Sequence, residues 1–307
     1  NRCLKQYSSK PSLHLISTHN KYQNSYFNLN LGIKMRAKSH KLPLTRIFIA
    51  TVCLLFFIFL LTKPSVNPST DKKPQTWIHS NANNTPTMTK IPRFLAQTLT
   101  HYATSEATPQ QTIEEISVTE GILENRSPCN FLVFGLGLDS LLWAALNFNG
   151  RTVFLEEDEA WINKIKLRFP NLTAYNVKYN TKVSQQRSLI EAGKGEECRS
   201  IGDLRYSMCE LALKGLPEEV YEVEWDVIMV DAPTGYYEEA PGRMGAIYTA
   251  GMMGRNRRNG ETDVLVHDVN REVEDLFSKE FLCEGYLRKE EGRLRHFTIP
   301  SHRENQD

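Results

Sequence analysis

The sequence predicts an α/β protein with a doubly wound, mostly parallel sheet that closes on a C-terminal antiparallel hairpin. The first ground is Cys129 to Asn147, CNFLVFGLGLDSLLWAALN, which reads as a buried strand turning through two glycines into a helix. The second is a series of short apolar runs, at Phe131–Phe134, Thr152–Leu155, Thr173–Val177, Val227–Val230 and Val264–Val266, with helix-like stretches between several of them. Strands that alternate with helices imply parallel pairing through right-handed crossovers. The third is the end of the chain, where Phe281–Leu287 and Leu294–Ile299 flank RKEEGR, a charged turn containing glycine. Such neighbours read as a hairpin.

Each element has its own reason. Phe131, Leu132, Val133 and Phe134 form a continuous apolar run, as in a strand covered on both faces. Gly135 and Gly137 let the backbone turn tightly and pass close to a ligand. Asp139 or Ser140 can cap the next helix, whose Leu141, Leu142, Ala145 and Leu146 fall on one face. This unit is expected to leave bare N–H groups at the carboxyl end of a strand, where nucleotide-like cofactors dock in open sheets. Upstream, Ile91 to Ala103 reads as a first helix packed on the domain.

The chain has 307 residues, 40% apolar and 24% charged, which allows one ordinary domain with extensions. Ile47 to Leu61, IFIATVCLLFFIFLL, is uncharged and follows Lys34, Arg36, Lys38, Lys41 and Arg46. It reads as a membrane anchor with a cytosolic amino terminus, with a cleaved signal peptide as the rival. Residues 1–34 are expected to be an upstream or disordered extension before Met35, residues 35–46 a cytosolic tail, 47–62 the signal anchor and 63–110 a Pro-, Ser- and Thr-rich stem, leaving 111–307 as the globular domain.

No acid precedes Asp71, so from residue 71 onward 27 basic residues stand against 36 acidic ones. A domain that acidic argues against nucleic acid as a partner. Asn83, Asn125 and Asn171 open glycosylation acceptor patterns. Cys129, Cys198, Cys209 and Cys283 allow two disulfides, with Cys198 and Cys209 the preferred pair. No CxxC or nearby histidine pairing is present, so zinc is not expected.

Chemistry should gather at the strand ends. The second strand runs into Glu156-Glu157-Asp158, and a carboxylate there can accept both hydroxyl protons of a ribose, Glu156 first and Glu157 second. With Gly135, Gly137, Asp139 and Ser140 these form the candidate cofactor site. The fourth strand ends in Asp231, followed by a Pro- and Gly-marked loop through Arg243, and the fifth in His267-Asp268-Val269-Asn270-Arg271. For these residues the competing explanation is helix capping and salt bridging.

LVFGLGLDSLLW, TVFLEEDEAWI, WDVIMVDAPTGYYEEAPGRM, ETDVLVHDVNREVED and RLRHFTIPSH closely resemble the plant glucuronoxylan 4-O-methyltransferases, from about Ile91 to Arg303. The irregular-xylem proteins share this domain. The resemblance implies the S-adenosylmethionine-dependent, Rossmann-like methyltransferase fold. It also implies a Golgi type II membrane protein that methylates O-4 of glucuronic acid on xylan, in company with xylan-synthesis proteins and with stimulation by a divalent cation.

On that reading Asp231, His267 and Asp268 are the catalytic candidates, with His267 the base or Asp231 or Asp268 acting directly. Asp231, Asp268 and Asn270 are the candidate cation ligands. Arg243 and Arg271 are expected to bind the acceptor carboxylate, and Tyr236 and Tyr237 to stack on sugar rings. Arg255, Arg257 and Arg258 read as a solvated helix end or a track for an acidic polymer. The rival functions are a non-catalytic xylan-assembly protein on the same fold and, less favoured, a nucleotide-dependent oxidoreductase.

Overall fold

In a computed structural model, residues 91–106 and 108–303 are described. The expected extension, tail and anchor (residues 1–62) lie outside the described residues, as does the expected stem (63–110) up to residue 90; among the described residues, no helix is long and apolar enough to cross a membrane. The expected first helix is present as α1 (Arg93–Thr104), followed by α2 (Ile113–Arg126). Thr112 and Glu115 start α2 with a reciprocal capping box, each side chain accepting the other's backbone N–H.

Seven strands make one sheet: β1 (Asn130–Phe134), β2 (Arg151–Glu156), β3 (Thr173–Asn176), β4 (Val227–Val230), β5 (Glu261–Val266), β6 (Leu287–Glu291) and β7 (Leu294–Pro300). Their order across the sheet is β3-β2-β1-β4-β5-β7-β6. The first five pair in parallel, and β7 runs antiparallel to both β5 and β6. Helices α3 (Ser140–Leu146), α4 (Glu159–Arg168), α5 (Gln186–Ala192), α6 (Glu218–Glu222), α7 (Met244–Asn256) and α8 (Glu272–Phe277) fill the connections.

The strand period of two divides the apolar residues between the faces. Leu132, Phe134, Ile228 and Val230 pack on one side with Ile247 of α7, while Phe131, Val133, Val227 and Met229 pack on the other with Trp143 of α3 and Ile162 of α4. Burying each such side chain contributes roughly 1.5–3 kcal/mol. Two buried faces explain why β1 and β4 read as unbroken apolar runs.

The hairpin differs in register from expectation. Phe281 lies in a π-helical turn, Ser278–Cys283, and the first hairpin strand starts only at Leu287. Arg288 to Glu291 of the supposed turn form the strand itself, and Gly292, at φ +55°, takes the bend. The charges suit it, because β6 is an edge strand open to water and charged side chains protect such edges. Cys198 and Cys209 are disulfide-bonded, whereas Cys129 is a buried free thiol. The second disulfide that four cysteines allow is therefore not made among them.

Candidate active site

The glycine loop after β1 is held tightly by its neighbours. Gly135 has φ +122°, and a Cβ there would lie 3.3 Å from Cβ of Ala232 after β4, so a side chain would meet both strain and a wall. Leu136 N–H donates to Glu156 Oε2 at 3.0 Å and Gly137 N–H to Ser140 Oγ at 2.9 Å. These amides are not bare, as the sequence suggested; the acid of β2 and the first residue of α3 already satisfy them. Asp139 precedes α3 but makes no side-chain cap bond. From outside, the Tyr102 hydroxyl of α1 donates to Leu138 O at 2.9 Å and accepts from Leu142 N–H, while Trp161 of α4 donates its indole N–H to Leu136 O.

A cavity of about 340 Å³ opens beside this loop, at the carboxyl ends of β1, β2 and β4. Gly135, Gly137, Asp139, Ser140, Glu156 and Glu157 all line it, as does Asp231. Glu156 is held by the N–H groups of Leu136 and Asp158, and burial pushes its pKa upward. Glu157 accepts from the Thr234 N–H and hydroxyl at 2.9 and 2.7 Å, which ties the β2 end to the loop after β4. Burial, reinforced by Asp231, pushes the Asp139 carboxyl up to about 6.

The second half of the site is a charge cluster. Asp231 Oδ1 lies 2.9 Å from His267 Nδ1 and 3.1 Å from Arg243 Nη1, and Oδ2 accepts from Gln111 Nε2 at 3.2 Å. Burial would raise the Asp231 pKa, but Arg243 and His267 outweigh it and hold the group low. Asp268, at φ +62°, sits among Arg243, Arg271 and Arg293 at 2.9, 2.9 and 2.8 Å. Aspartate is one of the few non-glycine residues that tolerate this left-handed backbone region. Behind Gly235, where a Cβ would come 2.8 Å from its Oε1, the fully buried Glu274 has no hydrogen bond to either carboxyl oxygen. Burial pushes its pKa up against the pull of Arg243.

Several expected roles change in this arrangement. His267 is fully buried and lies behind Asp231, outside the cavity lining, so of the two it is Asp231 that faces the cavity. Arg243 is 4% exposed and its donors are spent on Asp231, Asp268 and the carbonyls of Pro233 and His267. It neutralises the cluster and is not free to bind an acceptor carboxylate. Arg271 bonds Asp268 yet keeps an open face on the cavity. Tyr236 lines the cavity mouth at 75% exposure, with Tyr237 edge-on against it. Arg257 and Arg258 lie at the amino ends of β4 and β5, bonded to Trp225 O and Glu224, away from the site.

Sequence reading missed Gln111 and Glu115. The signature Thr112-x-x-Glu115 was there to announce a helix start, but nothing local shows that Glu115 ends 3.4 Å from His267 Nε2.

The lining suits an adenosine-bearing cofactor: a glycine loop at a strand end, a second-strand carboxylate and a cavity between them. A dication fits less well. Asp231, His267 and Asp268 offer donor atoms within 4.8 Å of one another, but Arg243 already bridges the two carboxylates. Asn270, expected to share in the set, is exposed. A dication would have to displace a buried guanidinium that already neutralises both carboxylates.

Residues 114–297 match the family model described as IRX15/IRX15L/GXM. The chain is 61% identical over 272 residues to glucuronoxylan 4-O-methyltransferase 1 of Arabidopsis thaliana, covering 88% of this chain and 95% of that protein. It is 52% identical over 210 residues to arabinogalactan O-methyltransferase 2 of the same plant, covering 67% and 72%. Against Protein IRREGULAR XYLEM 15, also from Arabidopsis thaliana, identity is 39% over 216 residues, covering 68% and 67%. With this sheet order, glycine loop and cavity, the chain belongs to the IRX15/IRX15L/GXM family and has the fold of S-adenosylmethionine-dependent methyltransferases.

Proposed function

We propose that this protein transfers a methyl group from S-adenosylmethionine to O-4 of the glucuronic acid side chains of glucuronoxylan during synthesis of plant secondary-wall xylan. The observation that carries this reading is the single cavity shared by Glu156, Glu157 and Asp231, in a chain 61% identical to a glucuronoxylan 4-O-methyltransferase. The cofactor supplies an electrophilic methyl group on a sulfonium sulfur. Glu156 accepts the ribose hydroxyls, and the glycine loop lets the cofactor lie against the backbone. Asp231 takes the proton of the acceptor hydroxyl as oxygen bonds to the methyl carbon and the carbon–sulfur bond breaks. Arg271 binds the glucuronate carboxylate and Tyr236 stacks on a neighbouring sugar. Holding donor and acceptor in line supplies much of the rate.

The setting is part of the proposal. The basic-flanked apolar run at 47–62 anchors the chain in the Golgi membrane as a type II protein with its domain in the lumen, among xylan-synthesis proteins. Asn125 and Asn171, the described positions of the glycosylation acceptor patterns, are both exposed.

The test is incubation of the full chain with labelled S-adenosylmethionine and either unmethylated glucuronoxylan or arabinogalactan, followed by linkage analysis. Label at O-4 of glucuronate on the xylan is expected. Label on arabinogalactan alone would move the acceptor, and a folded chain that binds no cofactor would favour the non-catalytic xylan-assembly function.

A further inference from the structure

Gln111 is a buried glutamine of which only one half of the amide is used. It stands just before the Thr112 cap of α2, and Gln110 on its other side lines the cavity with Thr108 and Pro109. Both flanks are pinned: Gln110 O accepts from Arg293 Nη2 at 2.7 Å, and Thr112 N–H donates to Glu115 Oε2 at 2.7 Å. From this fixed backbone the side chain, 4% exposed, reaches Asp231 across 120 residues of sequence.

Its Nε2 lies 3.2 Å from Asp231 Oδ2 and 3.8 Å from Met229 Sδ, while Oε1 is buried without a hydrogen-bond partner. Arg243 and His267 hold Asp231 as a carboxylate, so the edge of the amide that faces it must be the donating one. For stability the two ends of the amide nearly cancel, because a hydrogen bond to a charged group gains about what an orphaned buried carbonyl loses. A methionine, of similar length, would lie beside Met229 with neither the gain nor the loss. What the amide adds is a direction.

That direction matters because of how the Asp231 lone pairs are shared. A carboxylate offers about four of them, two on each oxygen. Oδ1 faces His267 Nδ1 at 2.9 Å and Arg243 Nη1 at 3.1 Å, which fills it. Among the described residues Oδ2 accepts from Gln111 alone, on a side chain that is 18% exposed and lines the cavity. A neutral amide draws off less charge than a guanidinium, so Oδ2 is the more basic oxygen as well as the open one.

We infer that Gln111 is a positioning residue for the methyl transfer proposed above, on which this inference rests. Its Nε2–H occupies one lone pair of Asp231 Oδ2 and fixes the plane of the carboxylate, so that the other lone pair of Oδ2 faces the cavity and takes the proton of the acceptor hydroxyl. In that step the acceptor O–H bond breaks and an Oδ2–H bond forms. The acceptor oxygen bonds to the methyl carbon, and the electron pair of the C–S bond leaves with sulfur. Without Gln111 the carboxylate is still held through Oδ1, but the open lone pair has no single direction.

The test compares Gln111→Met with the wild type, as full chains, in single turnovers with labelled S-adenosylmethionine and whichever of glucuronoxylan and arabinogalactan the wild type labels. The transfer rate at saturation should fall about 10- to 100-fold, as misdirection of a reacting group does. Cofactor affinity and the acceptor concentration for half-maximal rate should stay within about threefold, since neither depends on the proton transfer. The melting temperature of the cofactor-free chain should not drop. With Asp231→Asn already in place, adding Gln111→Met should change the rate by less than about threefold, because Gln111 acts through that carboxylate alone. Gln111→Asn, whose amide stops one methylene short of Oδ2, should lose rate in the same way and carries the test if methionine disturbs the fold.

Transfer at the wild-type rate by the variants, or a loss that stays additive with Asp231→Asn, would overturn the inference. So would parallel losses of rate, affinity and melting temperature in both variants, which would assign Gln111 to the fold alone. A wild type that labels neither polysaccharide would overturn the proposed reaction and this inference together, whereas a wild type that labels glucuronoxylan no faster than Gln111→Met would overturn the inference alone.

Discussion

At the amino ends of β4 and β5, Arg126, Arg257 and Arg258 face Asp226, Asp263, Glu224 and Glu261; at their carboxyl ends, Arg243 and Arg271 face Asp231 and Asp268. The ingredients are alike, but the states differ. At the amino ends the acids are saturated: Asp263 accepts from Arg126, His296 and Thr298, and Asp226 from the Asn130 N–H. At the carboxyl ends His267 Nε2, Gln111 Oε1 and both Glu274 oxygens are buried without a hydrogen bond. Each such group costs roughly 1–3 kcal/mol. At β4 and β5, one end of the sheet is closed by its ion pairs, and the other keeps incompletely paired groups beside a cavity, as a reacting site requires.

Substitutions at the two poles should therefore separate function from stability. Glu156→Gln at the cofactor pole should weaken S-adenosylmethionine binding by about 10- to 100-fold, the worth of a charged hydrogen-bond acceptor. Calorimetric titration checks this, and unchanged affinity would remove Glu156 from the ribose site. Arg271→Ala should raise KM for the acidic acceptor by about tenfold with little change in cofactor affinity. Steady-state kinetics on glucuronoxylan of varied concentration would show it, and an effect on cofactor binding instead would place Arg271 elsewhere.

Asp263→Asn, at the opposite pole, should leave turnover unchanged and cost roughly 1–3 kcal/mol of stability. Burial would raise the Asp263 pKa, but His296, Thr298 and Arg126 hold it below the ordinary value of 3.8. A group lowered by folding contributes stability above that ordinary value and loses it as pH falls through the lower folded one. The wild-type advantage over Asp263→Asn in thermal unfolding should accordingly persist at neutral pH and shrink only in strong acid. A constant difference down to the acid limit would refute the linkage.

The poles also differ in how far the sequence discloses them. The apolar runs of β1 and β4 and the glycines after β1 announce themselves locally, because a covered strand and a close turn impose residue types on neighbours in the chain. Asp231, Glu156 and Arg271 follow from strand ends for the same reason. Arg243 was legible as a cation at the site but not as a spent one, since its partners come from the loops after β4 and β5. Glu115 was hidden behind a local role as a helix cap, and its approach to His267 depends on a residue far along the chain. The misplaced hairpin strand has another cause: β6 is an exposed edge, and its charged residues resemble a turn when read without their neighbour β7.

The central claim, that the carboxyl-end cluster performs proton transfer to Asp231 during methylation, is tested most directly by Asp231→Asn. The variant should be compared with the wild type in a single turnover of the cofactor-loaded full chain on unmethylated glucuronoxylan. Cofactor affinity within a few-fold of wild type is expected, with a methyl-transfer rate lower by about 10²- to 10⁴-fold. Transfer at the wild-type rate would contradict it and return Asp231 to the ranks of structural charges, like those at the other pole.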